Sequence, residues 1–296
     1  MMHVIAWIHC KRHKMQSTRY KSLFLLLCIL YFPLFAYSDN ILSIADDLSS
    51  RKLYDDAITE YKRFIFFNPD SPQTAEAYYK IGLCYRSEGK IHNAIEALDN
   101  SISLYKDSEL ANRSRLTLAT TLIASQNYNL AKLELTKIIN STNDESLLKK
   151  ALYFYGIEAI YTRDWGSARD YFSKFYQKND NIDKINSIIK TTERSYKSPT
   201  KAKAMSAIIP GAGQIYSGNW KDGINAFILN GAIIGGIAYN VYKKDYDNAL
   251  IIAYLLLLRY YRGNIYHAGK DAERYNQRLD DQTADSLIKI VSIDEP

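Results

Sequence analysis

Apolar and polar positions across residues 39–178 recur with a step of 37. Small residues hold two columns: Ala45, Gly82, Ala119 and Gly156 in one, Ala57, Ala94, Ala131 and Ala168 in the other. Large apolar residues hold three more: Ile44, Ile81, Leu118 and Tyr155; Tyr54, Ile91, Tyr128 and Trp165; and Tyr61, Leu98, Leu135 and Phe172. Apolar residues spaced three and four apart mark a helix face. Polar turns at Ser50-Arg51-Lys52, Glu88-Gly89-Lys90, Gln126-Asn127 and Arg163-Asp164 divide each copy into a helix A and a helix B. The small columns let the two backbones approach, and the large ones fill the groove beside them. A lone hairpin cannot bury its apolar face, so the four copies predict a stack.

Three stretches break this pattern. Arg19 and Lys21 precede an apolar run from Leu23 to Phe35, interrupted by Pro33 and followed by Ala36-Tyr37-Ser38. A basic flank, an apolar run of about 13 residues and a small-x-small exit predict a signal peptide over residues 1–38. An uncleaved anchor is the alternative, which a run well short of the ~20 residues of a membrane span disfavours. Met15 offers a second start, since Met15-Gln-Ser-Thr-Arg-Tyr-Lys makes a more typical opening to a signal.

Residues 179–200 are polar, with a capping helix predicted over Ile182–Tyr196 and a boundary at Pro199. Residues 201–277 form a hydrophobic module with apolar segments Ile224–Tyr242 and Ala249–Leu258, joined by Lys243-Lys244-Asp245-Tyr246-Asp247. Tyr216, Trp220, Tyr239 and Tyr242 flank the first segment as interface aromatics do. Gly231, Gly235 and Gly236 offer a seam of small residues for a neighbouring helix. Against a membrane stand Asn225, Asn230 and Asn240 in the first segment and the shortness of the second. The second segment spans only if Tyr246 to Tyr266 form one helix. A membrane hairpin and a buried soluble hairpin capping the repeats both fit, with length and aromatic flanks favouring the first. Residues 278–296 read as a polar tail, its Asp280-Asp281 pair solvated.

Composition changes this picture little. A net charge of +6 is spread along the chain, with no basic stripe of the kind that nucleic acid requires. Twenty-five tyrosines with few glycines and prolines favour an all-α fold. Of the three cysteines, Cys10 and Cys28 lie in the signal, so Cys84 is left as a small packing hydrophobe with no disulfide partner. Cys28 lacks the small residues that precede a lipoprotein cysteine, and no lipid anchor is expected.

The columns resemble the tetratricopeptide repeat. Tyr78, Ile81, Gly82, Tyr85 and Ala94 carry the first part of its pattern in the second copy, and Phe64 and Pro69 carry the closing part in the first. The stretch from Asn68-Pro69-Asp70-Ser71-Pro72 into Ala75-Glu-Ala-Tyr-Tyr resembles the periplasmic subgroup found in cell-division coordinators and outer-membrane assembly lipoproteins. The resemblance implies a concave groove lined by helix A. Carried along the period, that groove includes Leu42, Tyr79, Leu116 and Tyr153; Asp46, Leu83, Thr120 and Ile157; and Ser49, Arg86, Ile123 and Ile160. Tyr79 and Tyr153 would suit a peptide, and Arg86 its carboxylate. Packing against the following module is the equal alternative.

The element Pro210-Gly211-Ala212-Gly213-Gln214-Ile215-Tyr216, followed by Gly223, resembles the start of small bacterial membrane modules with two or three hydrophobic helices. Pro210, Gly211 and Gly213 break a helix and permit close backbone approach, and Gln214 can hydrogen-bond the freed backbone groups.

Catalytic motifs do not emerge. Gly211-Ala212-Gly213 lacks the lysine and hydroxyl residue of a phosphate loop. His3, His9 and His13 precede the signal's apolar run, which leaves His92 and His267, and neither is expected to bind metal. No nucleophile elbow or Cys/His dyad is present, and no cofactor is expected. The sequence therefore predicts an all-α chain: a tetratricopeptide-like solenoid of four hairpins, then a hydrophobic helical hairpin module. Its expected role is a non-enzymatic scaffold of the bacterial cell envelope, exported to the periplasmic face of a membrane and binding a protein or peptide. The alternative makes the hydrophobic module the working part of a transport or insertion complex.

Overall fold

The computed structural model describes residues 41–105, 108–177 and 180–294, and among these every regular element is helical. The stretch expected to be a signal peptide, with Met15, Cys10, Cys28 and the first three histidines, lies outside the described residues. The chain divides into two compact units, one ending at Phe154 and the other starting at Tyr155, inside a single helix.

In the first unit α1 covers residues 41–50. It is followed by α2 (Tyr54–Phe67), α3 (Thr74–Ser87), α4 (Ile91–Leu104), α5 (Glu109–Ala124), α6 (Tyr128–Ser141) and the opening turns of α7 (Glu145–Thr162). The helices pack in chain order, as stacked hairpins do.

The 37-residue step holds in the backbone as well as the sequence. Helices α2, α4, α6 and α8 (Trp165–Tyr176) begin at Tyr54, Ile91, Tyr128 and Trp165. Two residues before each start the chain enters the left-handed region, at Lys52 (φ 62), Gly89 (φ 74), Gln126 (φ 63) and Arg163 (φ 59). The next amide then donates back across six residues: Leu53 N to Leu48 O, Lys90 N to Tyr85 O, Asn127 N to Leu122 O and Asp164 N to Ala159 O, at 2.8–3.0 Å. This is the Schellman closure, which satisfies carbonyls that a helix end would otherwise leave bare.

Both small columns are buried. Ala45, Ala57, Ala94, Ala119, Ala131 and Ala168 are fully enclosed. A Cβ on Gly82 would come within 2.7 Å of Leu98 Cγ, and one on Gly156 within 2.6 Å of the Phe172 ring. The small column of helix A therefore meets the Tyr61, Leu98, Leu135 and Phe172 column, all four of which are buried. Ile44 departs from its column: it is 45% exposed where Ile81, Leu118 and Tyr155 are buried, because no described helix covers the outer face of α1. Cys84 is buried as expected of a packing residue; burial pushes its thiol pKa up, and its sulfur lies 3.5 Å from Ser49 Oγ.

The second unit contains the rest of α7, α8, α9 (Asp180–Ser195), α10 (Pro199–Ile208), the short α11 (Ala212–Tyr216), α12 (Trp220–Tyr242), α13 (Tyr246–Ile252) and α14 (Leu258–Val291). A π-helical turn at Ala253–Leu257 joins α13 to α14 without a break. Pro199 opens α10 at its first turn, where its missing N–H costs nothing, and Ser198 caps that helix by accepting from Lys201 N.

The expectation of a polar tail from residue 278 is corrected here. Helix α14 runs through that position and buries Thr283, Leu287 and Val291, one turn apart, on the face that carries α9. Thr283 Oγ1 lies 2.7 Å from Thr192 Oγ1 of α9. Asp280 is half-buried and engaged, whereas Asp281 is exposed, as expected, and holds a surface ion pair. Asp280 accepts from Trp165 Nε1 at 3.2 Å and from the Tyr196 hydroxyl, and Asp281 pairs with Arg163 at 2.5 Å. Burial, followed by the Asp280 carboxylate, pushes the Tyr196 pKa up to about 12.

Candidate functional site

The helix A rows form no uniform surface. Leu42 and Asp46 line a depression of about 360 Å³ between α1 and α3, where Lys80 Nζ bonds both Asp46 oxygens at 2.9 Å. Leu83, Leu116 and Ile123 are half-buried, and Ile123 packs on the Leu98–Leu118–Leu122 cluster. Tyr79 joins that cluster with the Arg113 guanidinium 5.5 Å from its ring. Arg86 is exposed, whereas Tyr153 is buried against Phe154. In the second unit Ile157 is half-buried and Ile160 fully buried. Of the expected groove residues, Tyr153 and Ile160 are thus packing residues.

The C-terminal motif makes one knot, and each of its residues has a steric or hydrogen-bonding reason. Gly211 sits at φ 92, and a Cβ there would strike Gly223 O at 2.0 Å. One on Gly213 would strike Ala202 O at 2.0 Å, and one on Gly223 would meet Ile215 Cγ1 at 2.6 Å. Gln214 is buried at the centre. Its Nε2 donates to Asn264 Oδ1 at 2.8 Å and Asn264 O at 3.1 Å, and its Oε1 accepts from Ser206 Oγ at 2.8 Å. Ser206 Oγ in turn accepts from Gly213 N at 2.9 Å. Asn264 Oδ1 accepts from Gly211 N at 3.0 Å, and its Nδ2 donates to Ser206 O at 3.1 Å. Pro210 ends α10 just before the knot, and the Tyr216 hydroxyl accepts from Ser198 N at 3.2 Å with Lys197 Nζ 4.9 Å from its ring. The sequence pointed to Gln214 but not to its partners Ser206 and Asn264.

From this knot α12 and the α13–α14 helix project as an antiparallel apolar hairpin. Phe227, Ile228, Leu250, Tyr254 and Leu255 are each more than half exposed. Among the described residues α12 is the one helix long and apolar enough to cross a membrane. Trp220 at its start and Tyr239, Tyr242 and Tyr246 near the turn are exposed. The turn itself is polar, with Lys244 left-handed at φ 62 and Asp245 capping α13. Among the described residues nothing fills the glycine seam: a Cβ on Gly231, Gly235 or Gly236 would meet no atom within 4 Å.

Between the two arms lies a groove of about 520 Å³. Asn225, Leu229 and Asn230 of α12 face Arg259, Gly263 and His267 of α14 across it, with Asp222, Asp271 and Arg274 at its end. Among the described residues no group of three or more His, Cys, Asp or Glu could hold a metal ion.

Two family profiles match the chain. The tetratricopeptide repeat profile covers residues 75–108, which are α3 and α4, and a family of unknown function, DUF5683, covers residues 195–291, from the end of α9 to the end of α14. Searching curated proteins yields no match. Among solved structures the chain is similar to PilF of Pseudomonas aeruginosa, at 16% identity and a TM-score of 0.40, over 78% of this chain and 95% of that one. It is also similar to a tetratricopeptide repeat protein of Parabacteroides merdae, at 15% identity and a TM-score of 0.46, over 86% and 98%. A third is the Rap conjugation gene regulator of plasmid pLS20 in complex with the Phr* peptide, at 14% identity and a TM-score of 0.38, over 84% and 75%. The chain thus joins an all-α array carrying a tetratricopeptide repeat match to a module matched by DUF5683.

Proposed function

We propose that this chain is a non-enzymatic protein-binding scaffold of the bacterial cell envelope, with its repeats on the periplasmic side and its C-terminal hairpin held in a membrane. The observation that carries this reading is the projecting hairpin. Contiguous apolar surface of that extent is unfavourable in water and marks a membrane or partner contact. With 23 residues, α12 is roughly 34 Å long, against about 30 Å of bilayer hydrocarbon. Exposed aromatics flank it, and Lys243, Lys244 and Asp245 supply a polar tip for the far interface. A hairpin serving as a buried cap for the repeats would hide these side chains instead.

The expected signal peptide supports export, and the repeats supply a surface for a protein or peptide through Leu42, Tyr79, Leu83, Arg86, Leu116 and Ile123. Carbonate extraction of native membranes, with protease treatment of spheroplasts, tests the reading. The chain should stay in the carbonate pellet, and its repeats should be digested from outside. Recovery in the soluble cytoplasmic fraction overturns it.

A further inference from the structure

The groove between the hairpin arms carries a mismatch that the membrane reading makes costly. Asn230 is 1% exposed. Its Nδ2 donates to Ala226 O at 2.8 Å, yet its Oδ1 is buried with no hydrogen-bond partner among the described residues. The register of the arms is fixed near their base, where Asn219 Nδ2 donates to Asp271 Oδ2 at 3.2 Å. Counting the same 11 residues up both helices from that bond brings Asn230 level with Tyr260, the neighbour of Arg259, and both Asn230 and Arg259 line the groove. The other charges at the groove's end are engaged: Asp271 holds Arg274 at 3.4 Å, and Asp222 accepts from Asn219 at 2.6 Å. Arg259 forms no ion pair among the described residues. The groove thus presents an orphan acceptor on one arm and an unpaired cation on the other, with apolar surface on either flank.

We infer that this groove binds a phospholipid headgroup, its phosphate on Arg259 and its terminal ammonium donating to Asn230 Oδ1. The inference rests on the membrane reading above. Asn230 and Arg259 lie roughly 20 Å from the polar tip, so the groove opens toward the headgroup layer on the side of the knot. An arginine at that depth needs an anion, and a buried amide oxygen needs a donor. A phosphate ester ending in an ammonium supplies both, in a groove whose own aspartates are already occupied. The acyl chains then follow Phe227, Ile228, Leu255 and Leu258, which are exposed along the arms.

Phosphatidylcholine and phosphatidylethanolamine separate the two contacts, because choline has the phosphate but no N–H. The full chain is reconstituted into vesicles containing both lipids, floated, and extracted into detergent, and retained lipids are counted by native mass spectrometry. Phosphatidylethanolamine should be retained about tenfold over phosphatidylcholine. Asn230→Leu should erase that preference, and Arg259→Gln should lower retention of both lipids about tenfold. Arg262→Gln, which removes the same charge outside the groove, should change neither. Equal retention of the two lipids by a chain that floats overturns the headgroup site and leaves the membrane reading standing, as does an equal loss in Arg262→Gln. A chain that fails to float overturns both. Glycerophosphoethanolamine binding equally well without any lipid overturns the lipid assignment in favour of a soluble phosphate ester.

Discussion

The repeats and the C-terminal module both turn their chains through left-handed residues, yet they depend on them differently. In the repeats that position is filled by Lys52, Gly89, Gln126 and Arg163, four residues with one backbone shape between them. The turn is held by its helix ends and by the apolar columns on either side, so residue identity there hardly matters. In the module Gly211 is left-handed and also lies against the Gly223 carbonyl, where no side chain fits. A repeating pattern spreads its constraints over many weak positions. A single knot concentrates them in a few.

The knot should therefore break first. Gly211→Ala combines a left-handed penalty with a backbone clash and should cost about 3–5 kcal/mol, seen as loss of the module's cooperative melting transition in detergent. Gln214→Leu should cost about 2–4 kcal/mol by the same measurement, since it strands Ser206 and Asn264 in a dry site. Within the repeats Gly156→Ala presses on the rigid Phe172 ring and Gly82→Ala on the more mobile Leu98. We expect about 2 and about 1 kcal/mol, small because Ala45 and Ala119 hold the same column.

Alkaline pH tests the packing of α14 on α8 and α9. The Tyr196 pKa is raised from 10.0 to about 12 in the folded chain, so its contribution is complete below pH 10 and is lost as pH rises toward 12. Tyr196→Phe should flatten the fall in melting temperature over that interval. The smallest effect is a gain: Gln126→Gly relieves a left-handed side chain and should add about 0.5 kcal/mol.

The helix B starts at Tyr54, Ile91, Tyr128 and Trp165 were legible because four copies repeat one rule. The glycines of the knot were legible as breakers of a helix. Their partners were not, since Asn264 and Ser206 are ordinary polar residues in helices, and only tertiary proximity joins positions so far apart. The packing of α14 was hidden differently. Thr283, Leu287 and Val291 stand four apart, which is a helix face, but Asp280 and Asp281 before them and Asp285 and Lys289 between them give the stretch a solvent-exposed composition. Tyr153 and Ile160 failed as groove residues because a period assigns a face and not what covers it.

From Tyr246 to Val291 the backbone stays helical, passing the π turn without interruption, so one rod of about 70 Å runs from the tip of the apolar arm to the helix that bears Trp165. Such a rod is a lever. A tilt of roughly 5° at the knot shifts Asp280, about 24 Å along the rod from Asn264, by about 2 Å, enough to part it from the indole and Tyr196.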